Sequence, residues 1–262
     1  MNCVPMSDAI AVSEDAVLGG RLRLRQPTSG HRAGHDAILL AAATAARPGD
    51  RVADLGAGVG TAGLALARRV EGIKLVLVER EPPLASLARD NARANELPAD
   101  VAVLDIGAEA AAFAAAGLSP DSVDVVLMNP PFHDAARHRA SPDAARAAAH
   151  VATSATLETW THAARRMLKS GGLLTLIWRA DGVGEVLAAL SRGFGSLALQ
   201  PVHGQAGKPA IRILIRAIKG GRAPSQILAG LMLNEAGGVP NEEALRVLSG
   251  QGALALASPL NG

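Results

Sequence analysis

The sequence predicts an α/β fold: a mostly parallel seven-stranded sheet with helices on both faces and an antiparallel edge strand. Three observations predict it. Between about residues 50 and 220, short apolar runs alternate with alanine-rich stretches of helical spacing. The apolar runs are continuous rather than alternating, as expected of strands covered on both faces of a parallel sheet. The last two runs have no helix between them, which predicts a hairpin and so an antiparallel strand at the edge.

RVADL (51–55) is the first strand, and TAGLALARRV (61–70) the helix after it. KLVLVE (74–79) is the second strand. PPLASLARDNARANEL (82–97) follows as a helix with proline in its first turn, where a missing N–H is harmless. DVAVLD (100–105) and VDVVLMN (123–129) are strands three and four. VATSATLETWTHAARRMLKSGG (151–172) predicts a helix that stops at its glycine pair. LLTLIW (173–178) is strand five and GEVLAALSR (184–192) a short helix. SLALQPV (196–202) and AIRILIRAI (210–218) form the closing pair.

These elements place one domain over 47–220, with an N-terminal extension (1–46) and a C-terminal extension (221–262). In the first extension RLRLR (21–25) alternates Arg and Leu, a strand with one basic face, and a loop and the helix AILLAAATAA (37–46) follow. In the second, NEEALRVLSG (241–250) is a short helix with Asn241 as its cap.

Composition narrows the function classes. With 262 residues, 49% of them hydrophobic, the chain can bury a sizeable core without staples. Its single cysteine, Cys3, forms no internal disulfide, which fits a reducing cytoplasm. No apolar run has the length of a membrane span. A net charge of +2 means that any nucleic acid is held by local patches. Tyr is absent and Phe occurs three times, so base stacking depends on particular rings.

DLGAGVG (54–60) follows a strand and opens a helix, a tight turn whose small residues let a ligand approach backbone amides. Glu79, ending the second strand, stands where a ribose-binding acid belongs. The loop alone serves a dinucleotide or S-adenosylmethionine equally. Two acids tilt the choice. Asp54, just ahead of the first glycine, would repel a pyrophosphate but suits the cationic methionine end of S-adenosylmethionine. Asp105, closing strand three, lies where an acid can meet the adenine amino group.

Strand four ends abruptly on Asn129-Pro130-Pro131-Phe132. Pro130 holds Asn129 in an extended pose. The two prolines have no N–H, so Pro130 offers only a carbonyl acceptor beside the Asn129 side-chain oxygen. Paired acceptors suit a planar –NH₂, and Phe132 supplies a face for a flipped-out base, worth roughly 1–3 kcal/mol. Such a site acts by positioning and preorganised electrostatics and needs no strong base.

DLGAGVG together with NPPF resembles the class I methyltransferases, Rossmann-like enzymes that act on planar amino groups of adenine, guanine or glutamine. GHRAGHDAILLAAA and NPPFHDAARHRASPDAARAAAH bring the chain closer to the tRNA1(Val) adenine-37 N6-methyltransferase family. The resemblance spans about residues 20–220. It implies that Gly56, Gly58 and Gly60 line the S-adenosylmethionine loop and Glu79 binds the ribose. Asp105 then neighbours the adenine, Asp36 lies near the methionine end, and Asn129, Pro130 and Phe132 hold the target base. NPPFH is also similar to ribosomal guanine-N2 methyltransferases, so the expected reaction is methylation of an exocyclic amino group, adenine N6 in tRNA foremost. A protein-glutamine methyltransferase of the release-factor type would carry a separate helical domain, for which 46 residues are too few. A nicotinamide-dependent reductase would leave NPPF without a role, and a non-catalytic RNA-binding module would need no intact cofactor loop.

Other residues fit blander roles. His133 and Asp134 look like an acid–base pair that this reaction does not need. His31 and His35, near Asp36, lack the partners of a metal site, and no metal is expected. Arg137, His138, Arg139 and Arg146 form the densest basic run, beside the base pocket, where a solvated face and phosphate contact are equally served. Arg21, Arg23, Arg25, Arg212 and Arg216 are weaker candidates for such contact.

Overall fold

The computed structural model describes residues 11–29, 34–131 and 142–258, and of residues 142–154 the backbone. A hairpin of β1 (Val12–Val17) and β2 (Leu22–Pro27) precedes α1 (His35–Ala43). Strict alternation follows: β3 (Arg51–Leu55), α2 (Thr61–Arg69), β4 (Lys74–Glu79), α3 (Pro82–Ala94), β5 (Ala99–Val103), α4 (Ala110–Ala115) and β6 (Val123–Met128). Then come α5 (Pro142–Met167), β7 (Leu168–Arg179), α6 (Val183–Leu190), β8 (Phe194–His203) and β9 (Ala210–Lys219). The described chain closes with β10 (Gln226–Ile227), β11 (Leu231–Met232) and α7 (Glu242–Leu248).

The central sheet runs β5-β4-β3-β6-β7-β9-β8, the seven expected strands, and β10 and β11 add two short strands alongside β8. β3 to β7 are parallel; the β8–β9 hairpin forms the antiparallel end, with β9 between β7 and β8. Both faces of the sheet are buried. Val52, Leu75, Leu77, Val125 and Leu127 join Leu39, Leu64 and Val247 in one core. Ala53, Leu55, Val76, Val78, Val126 and Met128 join Phe113, Leu157, Met167 and Leu190 in the other. Successive strand residues thus enter opposite cores, which is why the strands read as unbroken apolar runs.

The structure corrects one boundary. α5 ends at Met167 rather than at Gly171-Gly172. Leu168 already pairs with Val123, and the register shifts before Leu173 pairs with Val125. The glycine pair lies in that irregularity: Gly171 has φ +77°, and a Cβ on Gly172 would come within 2.8 Å of the Lys169 carbonyl. The pair serves a bulge, not a helix cap.

The flanking segments are tied to this core. In β2, Leu22 and Leu24 are buried while Arg23 and Arg25 are exposed, as the alternation predicts. The backbone of β2 is held by two asparagines, Asn91 in α3 and Asn95 at its C-terminal cap. Asn95 Oδ1 accepts from Arg23 N (2.9 Å) and its amide donates to Arg23 O (2.6 Å). Asn91 does the same for Arg25, at 2.8 and 3.0 Å. One helical turn apart, the two side chains stand in for a neighbouring strand. At the other end, Asn241 Oδ1 accepts from Ala244 N at 3.1 Å and caps α7. Arg216 is not a surface residue: it is 4% exposed and donates to the carbonyls of Leu256 and Ser258, both at 2.6 Å, which removes it from the RNA-contact candidates.

Candidate active site

The chain builds outwards from β3 through β4 to β5, then returns to β6 on the other side of β3. Crevices at the strand ends beside such a reversal are where open α/β sheets bind ligands. The last pair of the β3–β6 ladder is Leu55 with Met128, so Gly56 and Asn129 leave the sheet side by side.

The glycine loop is fixed by its own backbone. Gly56 N and Ala57 N both donate to the Val78 carbonyl, at 2.8 and 2.9 Å, and Gly60 N closes a turn onto Ala57 O at 2.8 Å. Gly56, Gly58 and Gly60 have φ of +69°, +57° and +90°, a region that side chains disfavour. Their surroundings differ. A Cβ on Gly58 would meet nothing within 4 Å, so open space lies over that residue. A Cβ on Gly56 would sit 2.3 Å from Cη2 of Trp160, a residue of α5 that no sequence motif marks.

Three carboxylates hold the strand ends. Glu79 is buried; its Oε2 accepts from Gly58 N (2.8 Å) and its Oε1 from Glu81 N (2.9 Å). Asp105 is exposed and accepts from Gly107 N at 2.7 Å. Asp54 is 2% exposed, and its Oδ2 accepts from Gly63 N at 2.8 Å. That bond caps α2 from inside the sheet, since the residue at the cap position, Gly60, has no side chain to do so. Burial pushes the Asp54 carboxyl up to about 7; the Gly63 N–H opposes the rise and the charge of Glu79 adds to it. Asp36, in the first turn of α1, accepts from Arg212 Nε on β9 at 2.8 Å.

On the β6 side Asn129 is half-buried, Pro130 buried and Pro131 exposed. No hydrogen bond among the described residues involves the Asn129 side chain. Phe132, His133, Asp134, Arg137, His138 and Arg139 lie outside the described residues, as does His31; for Arg146 only the backbone is described. No group of three His, Cys, Asp or Glu side chains that could hold a metal occurs among the described residues.

The residues fit S-adenosylmethionine. The open face of Gly58 admits a ligand to the backbone, Glu79 adds a buried carboxylate beside it, and Asp105 lies at the next strand end. No helix among the described residues is long and apolar enough to cross a membrane.

Comparison with known proteins agrees. A family model described as "Methyltransferase small domain" matches residues 34–200. The tRNA1(Val) (adenine(37)-N6)-methyltransferase of Erwinia tasmaniensis is 27% identical over 186 residues, 70% of this chain and 74% of that one. The ribosomal RNA large subunit methyltransferase G of Streptomyces coelicolor is 34% identical over 127 residues, 48% of this chain and 28% of its own. A crystal structure described as a predicted O-methyltransferase from Agrobacterium tumefaciens superposes with a TM-score of 0.70. It is 33% identical and covers 84% of this chain and 98% of its own.

Proposed function

This chain belongs to the methyltransferase small-domain family, and on that premise we propose that it methylates the exocyclic N6 of an adenine in tRNA, in the cytoplasm. The donor is S-adenosylmethionine. The observation that carries the reading is the Leu55–Met128 pairing, which sets the glycine loop beside Asn129 and Pro130.

Bound S-adenosylmethionine supplies an electrophilic methyl group on a sulfonium. The chain does the rest by placement. Glu79 and the open face of Gly58 hold the ribose side, and Asp105 the adenine side. Asn129 Oδ1 and the Pro130 carbonyl accept the two hydrogens of the target –NH₂, and Phe132 stacks on its base. Holding both hydrogens biases the nitrogen towards a tetrahedral shape and aims its lone pair. Accepting the methyl group would make that nitrogen acidic, and one of the two hydrogens held by Asn129 Oδ1 and the Pro130 carbonyl would pass to water. The acceptors gain strength as that charge develops, the form of catalysis expected of preorganised dipoles.

Incubation with labelled S-adenosylmethionine and total RNA, followed by mass spectrometry of nucleosides, tests this. The expected product is N6-methyladenosine in the tRNA fraction. A second reading, ribosomal RNA guanine N2, rests on the 34% identity to the Streptomyces enzyme and on NPPFH; it would give N2-methylguanosine in the ribosomal fraction. O-methylated nucleosides would place the chain with the description of its Agrobacterium relative, and unlabelled RNA would overturn an RNA substrate.

A further inference from the structure

A groove of about 630 Å³ runs along the outer side of α5, between the loop after β5 and the end of α6. At its rim stands Gly107, whose N–H binds Asp105, so the groove opens beside the cofactor side of the crevice. From there it descends along α5 past His162 to Arg165, Arg166 and Arg192. Glu158 is the one acidic residue lining it.

Some of the basic side chains of the described residues are tied to carboxylates, and the three groove arginines are not. Arg23 pairs with Glu14, Arg179 with Glu185, Arg212 with Asp36, and Lys169 and Lys219 with aspartates. None of the ion pairs among the described residues includes a groove arginine. Arg165 instead donates to the backbone carbonyl of Arg192 at 3.1 Å and approaches His162 Nδ1 at 3.5 Å. Arg166 lies 4.3 Å over the Phe113 ring, and its buried Nη2 has no hydrogen-bond partner among the described residues. The helix dipole favours cations in the last turn of α5, which accounts for Arg165 and Arg166 being basic. It does not account for Arg192, which comes from another element, nor for their convergence in a concave surface.

We propose that this groove binds the phosphodiester backbone of the RNA whose target base enters the crevice. Fork-shaped guanidiniums without carboxylate partners match phosphate oxygens, and low-dielectric walls strengthen the attraction. The proposal rests on an RNA substrate. It moves the phosphate contact away from Arg212 and Arg216, whose guanidiniums are engaged within the protein.

The test compares wild-type full-length protein with Arg165→Gln/Arg192→Gln, titrating fluorescently labelled total tRNA at several salt concentrations. The double variant should bind about tenfold more weakly at low salt, with the salt slope smaller by about 1–2. Its affinity for S-adenosylhomocysteine by calorimetry should stay as in wild type, which also verifies the fold. Should the double variant not fold, Arg192→Glu, a change at an exposed position, gives the same comparison. If wild type binds and methylates RNA and the substitutions leave affinity and slope unchanged, the groove is not the RNA surface, while the proposed activity stands. If wild type neither binds nor methylates RNA, both fall. Binding of poly-glutamate that depends on these arginines, with tRNA binding unaffected, would assign the groove to an acidic protein and overturn the proposal.

Discussion

Glu79 braces Gly58: one carboxylate oxygen accepts the Gly58 N–H at 2.8 Å, and the other accepts the N–H of Glu81 at 2.9 Å. A single buried side chain therefore sets both the curvature of the glycine loop and the entry into α3. A ligand bound at this strand end meets a carboxylate already oriented by the backbone.

Glu79→Gln keeps the shape but gives up the charge and one of the two acceptors. Cofactor affinity should fall by about 1.5–3 kcal/mol, the range for hydrogen bonds to charged groups. Calorimetry with S-adenosylhomocysteine measures it. Unchanged affinity would leave Glu79 a brace of the loop and nothing more.

Asn129→Ala removes one of the two acceptors proposed to hold the target amino group. The expected loss is a hundred- to thousandfold in kcat, with cofactor affinity unaltered. Single-turnover methylation of tRNA separates this from weakened RNA binding. A near-wild-type rate would make Asn129-Pro130 an ordinary end to a strand.

Asp54 gives the chain a pH dependence. Burial pushes its carboxyl up to about 7 in the folded chain, from an ordinary value of 3.8. Between those pH values the folded chain keeps a proton that the unfolded chain has lost, so stability falls as pH rises from about 4 to 7 and levels off above. Each unit of the difference is worth about 1.4 kcal/mol. Asp54→Asn keeps an acceptor for Gly63 N and removes the titration. Relative to wild type, the variant should gain stability steadily between pH 5 and 7.5 in urea melts, and a pH-independent difference would rule out a raised Asp54.

Gly56 and Trp160 should behave as a coupled pair. Gly56→Ala places a methyl against the indole and forces a left-handed conformation that alone costs roughly 1–2 kcal/mol. Trp160→Ala removes the clash but not the strain. In a double-mutant cycle read by urea denaturation, the double variant should be less destabilised than the sum of the single losses, by 0.5 kcal/mol or more. Strict additivity would mean that the ring moves aside without cost.

Much of this was legible in the sequence, for physical reasons that differ by element. RVADL, KLVLVE, VDVVLMN and the middle of AIRILIRAI carry their own signal, because both their faces are buried, whereas β5 at the sheet edge is half-buried to exposed. RLRLR reveals its pleat through leucines that enter the core and arginines that do not. β1, by contrast, is VSEDAV, a polar strand whose pairing with β2 satisfies its backbone while its side chains alternate between exposed and half-buried. α4 rests on one buried ring, Phe113, and β10 and β11 have two residues each, too few for any period. In the site, the glycine loop and Glu79 follow from strand-end logic. The partnership of Asp54 with Gly63 and of Trp160 with Gly56 does not, because each depends on which face of a distant helix turns inwards. The groove arginines were invisible for the same reason: Arg192 is separated from Arg165 by an entire strand and helix.

Arg216 bears on the order in which the polypeptide can assemble. It lies on an inner strand, and its Nη1 acceptors are carbonyls 40 and 42 residues further on. Arg21 likewise reaches Gly250, and Leu254 N reaches Ala42. Synthesis delivers β9 before any of those acceptors exists. During that interval the Arg216 guanidinium is uncovered and keeps its water, and it exchanges that water for two carbonyls only when the later segment docks. The cover over this part of the sheet is therefore completed by the last of the described residues, 254–258.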